Sequence, residues 1–303
     1  MELEFIRWLQ SQLPNNGRFA VPNGDDAAVL LADDRPQVVA TDMLMEGVHF
    51  DLSQCMSRQV GRKALAVNLS DLAAMAAEPT YALVSLALPK DRAETLAREV
   101  TEGLLVCAED FDVALLGGDT NTWSGPLVVN VMVGGAIVDQ TWSRCGAKPG
   151  DWILATGEFG GSLVQDHHLM FTPRVKMARQ IAASSLSIRA ATDVTDGLAI
   201  DLHHICTASH CGAELDRANI PISFRAELVA GKSGNQPLHH ALYDGEDFEL
   251  LLVADPETGS QLDGRVFAGE KITAIGRMVD EPGLFLIDDG SRSVIEPVGY
   301  EHG

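Results

Sequence analysis

The sequence has little positive charge and no long uninterrupted apolar run, and each shortage excludes a class of protein. Its 22 Lys and Arg residues stand against 43 Asp and Glu residues, which gives a formal net charge of −21 at pH 7. So acidic a chain, without any run of Lys or Arg, is expected to repel nucleic acids and anionic membrane surfaces. Because no apolar run reaches spanning length, no transmembrane helix is predicted.

Cysteine is also scarce. The chain contains five cysteines, namely Cys55, Cys107, Cys145, Cys206 and Cys211. Their number is odd and their spacing is scattered, so a disulfide framework is not expected. The acidic segment 1–4 does not have the composition of a secretory signal peptide. We therefore predict a protein of the reducing cytoplasm.

The order of apolar segments indicates two domains, for which 303 residues give ample length. Predicted strands alternate with predicted helices up to about Asp139, which is typical of an α/β domain. The turn-rich segment Gly146–Asp151 follows, and the pattern restarts with a strand over Trp152–Thr156. We predict an N-terminal domain over residues 1–139 and a C-terminal α/β domain over residues 140–303.

Aspartate recurs at five turns beside apolar segments, and this recurrence is the main chemical signal. The turns contain Asp25 and Asp26, Asp42, Asp71, Asp119, and the segment Asp193–Gly197. Two of them are expected to end short strands over Gln37–Ala40 and Val113–Leu116, and ligands gather at strand ends in α/β folds. Converging carboxylates need cations, and Mg²⁺ combines carboxylate with phosphate oxygens. The set indicates phosphoryl chemistry on a nucleotide; alternatively, these aspartates only form turns and caps.

Asp71 is the single charge in the apolar stretch Ala64–Ala77. One interpretation makes it, or Ser70, the N-cap of a helix over Leu72–Ala77 that follows a helix over Ser57–Leu69. The other places Asp71 at the edge of a core, where it shares a cation with other aspartates, because an unpaired buried carboxylate is costly.

Three further patterns are weaker. Ala226–Ser233 loosely fits a phosphate-binding loop but lacks the preceding strand that such a loop requires. Gly157–Gly161 is compatible with either a phosphate cradle or a tight turn. A group of potential zinc ligands lies largely in a predicted helix, with spacing unlike a zinc module; it comprises His203, His204, Cys206, His210 and Cys211.

Taken in order, the motifs resemble those of the thiamine-monophosphate kinases, within the superfamily of aminoimidazole ribonucleotide synthetase. They are Gly24–Ala28, Thr41–Phe50, Lys63–Met75, Gly117–Thr120, Arg144–Asp151, Asp193–Leu198, Gly245–Leu250 and Gly299–Tyr300. Thr41-Asp42 followed by Glu46-Gly47-Val48-His49-Phe50 is the part most specific to the kinases. The chain departs from the family in having Thr195 where Ser is usual, and in a short segment over Gly157–Pro173.

The resemblance implies roles for the matched residues. It implies Mg²⁺ ions held by Asp26, Thr41, Asp42, Asp71, Asp119, Asp193 and Asp196. It implies ATP contacts from Gly118, Asp119, Arg144 and Thr195. It implies thiamine monophosphate contacts from His49, Glu246 and Tyr300. Catalysis would rest on Asp42, Asp71, Asp119 and Asp196.

The resemblance also implies an architecture and a reaction. The expected fold is a two-domain α/β fold of the aminoimidazole ribonucleotide synthetase type, whose N-terminal halves pair into a β-barrel in a homodimer. The expected reaction is direct in-line transfer of the γ-phosphoryl of ATP to thiamine monophosphate. Two alternatives stay open: another ATP-using enzyme of the superfamily, such as the ring-closing synthetase, and a non-catalytic metal-binding scaffold.

Overall fold

The structure is a computed structural model that describes residues 2–12, 19–21 and 27–300. It divides into two compact units. The N-terminal unit contains the chain up to Leu72 together with Glu78–Val138, and the C-terminal unit contains Ala73–Ala77 together with the chain from Asp139 onward. Among the helices described, none is both long and apolar enough to cross a membrane.

The secondary structure alternates between helices and strands in the first unit and is richer in short elements in the second. The α-helices are α1 Glu2–Gln12, α2 Ser57–Ala74, α3 Ala93–Asp110, α4 His167–Met170, α5 Val175–Ala182, α6 Leu198–Ser209, α7 Phe224–Ser233, α8 Pro237–Tyr243 and α9 Pro256–Leu262. The strands are β1 Phe19–Val21, β2 Val29–Leu30, β3 Gln37–Met45, β4 Glu78–Pro89, β5 Ala114–Trp123, β6 Val128–Ala136, β7 Trp152–Thr156, β8 Ile188–Asp193, β9 Gly212–Asp216, β10 Leu250–Ala254, β11 Val266–Phe267, β12 Glu270–Val279, β13 Leu284–Asp288 and β14 Ser291–Ile295.

The N-terminal unit is built on a mixed four-stranded sheet in the order β3-β6-β4-β5. β6 is antiparallel to β3 and to β4, whereas β4 and β5 run parallel. Alternate residues such as Val84 and Leu86 on β4 and Val131 on β6 are buried on one face, against which α3 packs. The sheet of one chain is open rather than a closed barrel.

The opposite face of this sheet, here called the open face, carries apolar side chains that the chain covers only in part. Alternation along a strand sends successive side chains to opposite faces. On β3 the odd-numbered residues are exposed, including Val39 at 59% and Met43 at 53% relative accessibility. The open face comprises Val39, Thr41, Met43, Met45, Tyr81, Leu83, Ser85, Val128, Asn130 and Met132.

α2 and α3 cross at two glycines. A Cβ on Gly61 of α2 would overlap the backbone carbonyl of Val100, and one on Gly103 of α3 would overlap that of Arg58. The two backbones therefore touch directly at the crossing. Glycine in a helix interior costs stability, so its use on both helices reflects this close approach.

The C-terminal unit is built on a larger sheet in the order β14-β13-β9-β12-β7-β10-β8, with β11 paired to β12. Neighbouring strands are antiparallel except β13 and β9. α6 packs against β8 and β9, and α9 packs against β7 and β10. The hydrophobic core includes Ile153, Ala190, Leu202, Ile205 and Leu251. The two mixed α/β units confirm the expected fold class.

The structure corrects three predicted boundaries that bear on the site. β3 does not end at Ala40 but continues through Thr41 and Asp42, and β5 does not end at Leu116 but continues through Gly118 and Asp119. α2 is one helix that runs through Asp71. The predicted turn at Asp25 and Asp26 lies outside the described residues.

Candidate active site

Asp42 and Asp71 form a hydrogen-bonded carboxyl pair in the N-terminal unit. Asp42 is a half-buried residue of β3, and Asp71 is half-buried in the last turn of α2. Burial raises the pKa of the Asp42 carboxyl, and the hydrogen bond with Asp71 acts in the opposite direction. Two carboxyl groups can hydrogen bond to each other only when one carries a proton. A cation between them would replace that proton.

Asp71 has an electrostatically unfavourable place on its helix. The C-terminal end of a helix carries partial negative charge and disfavours a carboxylate. Since α2 continues from Ser57 to Ala74, the prediction that Asp71 or Ser70 caps a helix over Leu72–Ala77 is wrong. A carboxylate that faces both a helix C-terminus and a second carboxylate is suited to hold a divalent cation.

Asn68 adds a third oxygen to the same part of α2, one helical turn before Asp71. Its side chain is fully buried, and its Nδ2 donates to the carbonyl of Ala64 at 2.9 Å. Its Oδ1 has no hydrogen-bond partner in the part of the chain that the structure describes. A buried oxygen left without a donor is costly, so a ligand for it is expected. Asn68, Asp42 and Asp71 all offer oxygen, the donor that Mg²⁺ prefers.

The structure does not bring Asp119 to this pair within one chain. Asp119 is exposed on β5 and accepts a hydrogen bond from Asn121 Nδ2 at 2.8 Å. β6 and β4 separate β5 from β3, which at about 4.8 Å per strand is roughly 14 Å. In the strand register, Asp42 is paired with Val131 of the buried face, whereas Asp119 is paired with Ser85 of the open face.

The remaining predicted metal ligands of this unit are placed as follows. Thr41 lies on the open face and donates from Oγ1 to the carbonyl of Val131 at 3.0 Å. Asp26 lies outside the described residues. Among the residues that the structure describes, no group of three or more His, Cys, Asp or Glu side chains is close enough to hold a metal ion. Within the described residues, the pair of Asp42 and Asp71 is therefore not joined by a third such side chain.

His49 lies in the loop after β3, and two hydrogen bonds orient it. Its Nδ1 accepts from the N–H of Met45 at 3.1 Å, and its backbone carbonyl accepts from Nζ of Lys63 at 2.9 Å. These two contacts hold the imidazole beside the end of β3.

In the C-terminal unit the turn Asp193–Gly197 is shaped by a buried carboxylate. Oδ2 of Asp201, in the first turn of α6, accepts the backbone N–H groups of Thr195, Asp196 and Gly197 at 2.9, 3.0 and 3.2 Å. Acceptance of several N–H bonds stabilises a carboxylate and fixes the backbone of the turn. Thr195 and Asp196 are consequently held at the end of β8, next to Asp193.

Glu246 and Tyr300 meet this turn through their backbones. The N–H of Glu246 donates to the carbonyl of Thr195 at 2.7 Å, and that of Tyr300 donates to the carbonyl of Asp196 at 3.0 Å. A glycine precedes each of these two residues and allows the backbones to come close. For example, a Cβ on Gly245 would lie 2.7 Å from the Thr195 carbonyl oxygen. The structure thus brings together four of the predicted site residues of this unit.

Arg144 supplies a cation beside the same turn. Its Nε donates to Oγ1 of Thr192 at 3.3 Å, one residue before the buried Asp193. The side chain is otherwise exposed. An exposed guanidinium at the end of β8 is placed to bind a phosphate in a bidentate manner.

The weaker sequence patterns prove to be structural. Gly160 and Gly161 donate their N–H groups to the side chains of Asp247 and Asp244, at 2.8 and 2.9 Å, so this segment is a tight turn. Ala226–Ser233 lies within α7. His203, His204 and Cys206 lie on α6, and Cys206 and Cys211 are buried.

Two residues that shape the site were not among the predicted site residues. Lys63 is fully buried, and Asp201 is 1% exposed. Lys63 stands at the start of the apolar stretch and Asp201 inside a predicted helix. Their polarity within apolar surroundings was the only sequence signal for either.

Family comparisons identify both units. Residues 24–137 match the family described as AIR synthase related protein, N-terminal domain, and residues 148–289 match its C-terminal domain. These matches place both units in the AIR synthase related class.

Comparison with individual proteins identifies the family within that class. The chain is 39% identical over 312 residues to the thiamine-monophosphate kinase of Rhodopirellula baltica, covering 100% of this chain and 98% of that protein. The crystal structure of thiamine-monophosphate kinase from Stenotrophomonas maltophilia is 31% identical with a TM-score of 0.77, covering 94% of this chain and 95% of that one. AaThiL complexed with AMPPCP and TMP is 27% identical with a TM-score of 0.78, covering 100% and 97%. The chain belongs to the thiamine-monophosphate kinase family, which confirms the resemblance inferred from the motifs.

Proposed function

We propose that the chain transfers the γ-phosphoryl of ATP to the phosphate of thiamine monophosphate, forming thiamine diphosphate and ADP. The observation that carries this proposal is the end-to-end similarity to thiamine-monophosphate kinases at 39% identity. It is supported by AaThiL, which was solved with AMPPCP and TMP and shares the fold over 100% of this chain. The cluster of Thr195, Asp196, Glu246 and Tyr300 agrees with a site at which two substrates meet.

The proposed binding roles follow the family motifs. Nucleotide contacts are assigned to Gly118, Asp119, Arg144 and Thr195. Contacts to the acceptor are assigned to His49, Glu246 and Tyr300. Metal ligation is assigned to Asp26, Thr41, Asp42, Asp71, Asp119, Asp193 and Asp196, and of these Asp42, Asp71, Asp119 and Asp196 take part in catalysis.

The proposed reaction mainly requires the protein to bring two anions together, the triphosphate of ATP and the phosphate of thiamine monophosphate. The acceptor phosphate is largely ionised near neutral pH, so its oxygen needs no strong general base. Bound Mg²⁺ supplies neutralisation of phosphate charge. Arg144 adds a fixed cation for a phosphate group. Direct transfer then depends on positioning, without a covalent phosphoenzyme.

An ADP-release assay tests the proposal. Release that depends on both thiamine monophosphate and Mg²⁺ is expected from the purified chain. Release that depends instead on formylglycinamidine ribonucleotide would assign the ring-closing synthetase activity. No release with either acceptor, from a folded sample, would leave the scaffold interpretation.

We further propose a homodimer that pairs through the open face. Val39, Met43 and Met45 expose apolar side chains on one edge strand, and a contiguous exposed apolar surface marks an interface. We also propose a cytoplasmic location, which agrees with the small, odd number of scattered cysteines and with the supply of ATP in that compartment.

A further inference from the structure

A polar cavity of about 430 Å³ lies in the C-terminal unit, where β7 ends and β12 begins. Its charged lining consists of three cations, Arg174, Arg225 and Lys271, and three carboxylates, Glu158, Glu249 and Glu270; Gly157 and His167 also line it. A volume of this size is typical of sites that hold small ligands. None of these side chains is assigned a role in the proposed kinase reaction.

Two of the three cations that line the cavity form no ion pair within the hydrogen-bonding distances of the described residues. Arg174 is paired, because it makes a bidentate contact with Glu249 and donates to Glu270 at 2.9 Å. The side chains of Arg225 and Lys271 make no hydrogen bond and no ion pair with the part of the chain that the structure describes. In a chain of net charge −21, two such cations beside one cavity are positioned for an anion.

Unpartnered polar atoms cluster at the same place. His167 Nε2, Arg225 Nε and Asp247 Oδ2 are buried without a hydrogen-bond partner among the described residues. These residues are neighbours, since His167 hydrogen bonds to the backbone of Asp247 and the charge of Arg225 acts on both. Buried polar groups are nearly always satisfied, so a missing group is expected here.

The protonation states of His167 and Asp247 determine which hydrogen-bond donors and acceptors a bound ligand must supply. Burial, followed by the charges of Arg225 and Arg174, lowers the pKa of His167 to about 4, so the ring is neutral. Burial raises the pKa of Asp247 to about 8, so its carboxyl is largely protonated near neutral pH. Asp247 Oδ1 accepts from Gly160 and Ser162, which places the proton on Oδ2. The cluster therefore presents two donors and one acceptor.

The backbone that delivers His167 is strained. Gln165 and Asp166, which precede it, both adopt left-handed φ angles of 57° and 56°. Such conformations cost energy for residues other than glycine and concentrate at functional sites. The short segment Gly157–Pro173 therefore adopts an unfavourable backbone conformation that places the His167 imidazole in the cavity lining.

We propose that this cavity binds a phosphate group, carried by inorganic phosphate or by a small phosphorylated metabolite, with Arg225 and Lys271 as its counter-ions. A hydrogen phosphate accepts from Arg225, Lys271 and Asp247, and its P–OH donates to His167. The cavity borders the turn Asp193–Gly197, because the carbonyl of the lining residue Glu249 accepts from the N–H of Val194 at 2.8 Å. None of its lining side chains is among the proposed substrate or metal contacts.

The test is calorimetric titration of inorganic phosphate into the full chain, without Mg²⁺ or nucleotide. Saturable binding is expected. Arg225→Gln and Lys271→Gln should each weaken it roughly tenfold, because each removes a hydrogen bond to a charged group. The matched control is Lys232→Gln, which removes an exposed cation from the same helix as Arg225 and should change affinity less than twofold. Circular dichroism verifies the fold of each variant.

Two further titrations separate this site from the proposed kinase site. Arg144→Gln removes the phosphate contact proposed for ATP and should leave this binding intact. Competition by thiamine monophosphate or AMP would assign the cavity to phosphate esters, and its absence would assign it to inorganic phosphate. Absence of saturable binding overturns the proposal, as does unchanged affinity in both Arg225→Gln and Lys271→Gln. Because no turnover is measured, a failed kinase assay does not affect this result.

Discussion

At the scale of single residues, a negative charge on Asp71 is unfavourable when no metal ion is bound, because Asp71 lies near the C-terminal end of α2 and beside Asp42. Asp71→Asn removes repulsion from Asp42 and a charge at the C-terminal end of α2. We expect the unfolding free energy without Mg²⁺ to rise by about 0.3–1 kcal/mol, while turnover falls by roughly 100-fold or more. Chemical denaturation and the ADP-release assay measure the two effects.

Asp110→Asn is the matched control for Asp71→Asn. Asp110 is exposed and is the last residue of α3, so the change removes a carboxylate from another helix C-terminus. It should stabilise the protein by a similar amount and leave turnover unchanged. Full activity in Asp71→Asn would remove the metal role assigned to the carboxyl pair.

Asp247 gives stability a defined pH dependence. Its pKa rises from 3.8 to about 8 on folding, so between these values the folded state holds a proton that the unfolded state has released. Stability from this group is complete below pH 3.8 and is lost as pH rises toward 8, by at most about 1.4 kcal/mol per pH unit. Asp247→Asn should flatten this part of a denaturation profile measured without phosphate. An unchanged slope would contradict the assignment.

At the scale of secondary structure, α2, the helix that carries Lys63 and Asp71, contacts the backbone of α3 at Gly61 and Gly103. Gly61→Ala should destabilise the protein by about 1–3 kcal/mol because its Cβ overlaps the Val100 carbonyl. This loss exceeds the gain of up to about 1 kcal/mol in helix propensity. Thermal and chemical denaturation provide the measurement.

Gly231→Ala provides the comparison on α7. A Cβ at Gly231 would meet nothing within 4 Å, so only helix propensity changes. We expect stabilisation of about 0.5–1 kcal/mol. Equal effects of the two substitutions would show that the backbones of α2 and α3 do not touch.

The extent of the strands shows what the sequence could and could not predict. The apolar segment before Thr41 correctly predicts β3, but the polar pair Thr41-Asp42 predicts its end too early. The strand continues because backbone pairing with Val131 and Met132 does not depend on side-chain polarity. Similarly, the glycine pair predicts a turn at Gly118, whereas Gly118 lies within β5. Glycine is required there because a Cβ would overlap the Val84 carbonyl.

At the scale of the whole molecule, alternating elements were sufficient to predict two α/β parts, and motif order was sufficient to predict the family. The order of strands in the larger sheet was not predictable, because it depends on long-range pairs such as β13 with β9. The grouping of Thr195 with Glu246, and of Asp196 with Tyr300, likewise depends on backbone contacts between distant segments. Motif matching named these residues without showing how they meet.

The proposed dimer makes Met43 a sensitive position. Met43→Asp places a charge on the open face of β3, and burial of an unpaired charge in an interface is costly. We expect the variant to elute as a monomer in size-exclusion chromatography with light scattering.

Val106→Asp is the control for Met43→Asp. Val106 is 58% exposed on α3, away from the open face, so this variant should remain dimeric. Identical masses for both variants would place the contact between copies elsewhere.

Neighbouring residues of β3 serve opposite surfaces: Thr41 and Met43 belong to the open face, and Asp42 belongs to the carboxyl pair. Self-association and magnesium affinity would therefore depend on the geometry of a single edge strand. Specific activity should decline as the enzyme is diluted below its self-association constant. Thermodynamic reciprocity then requires Mg²⁺ to promote association to the same degree that association strengthens Mg²⁺ binding.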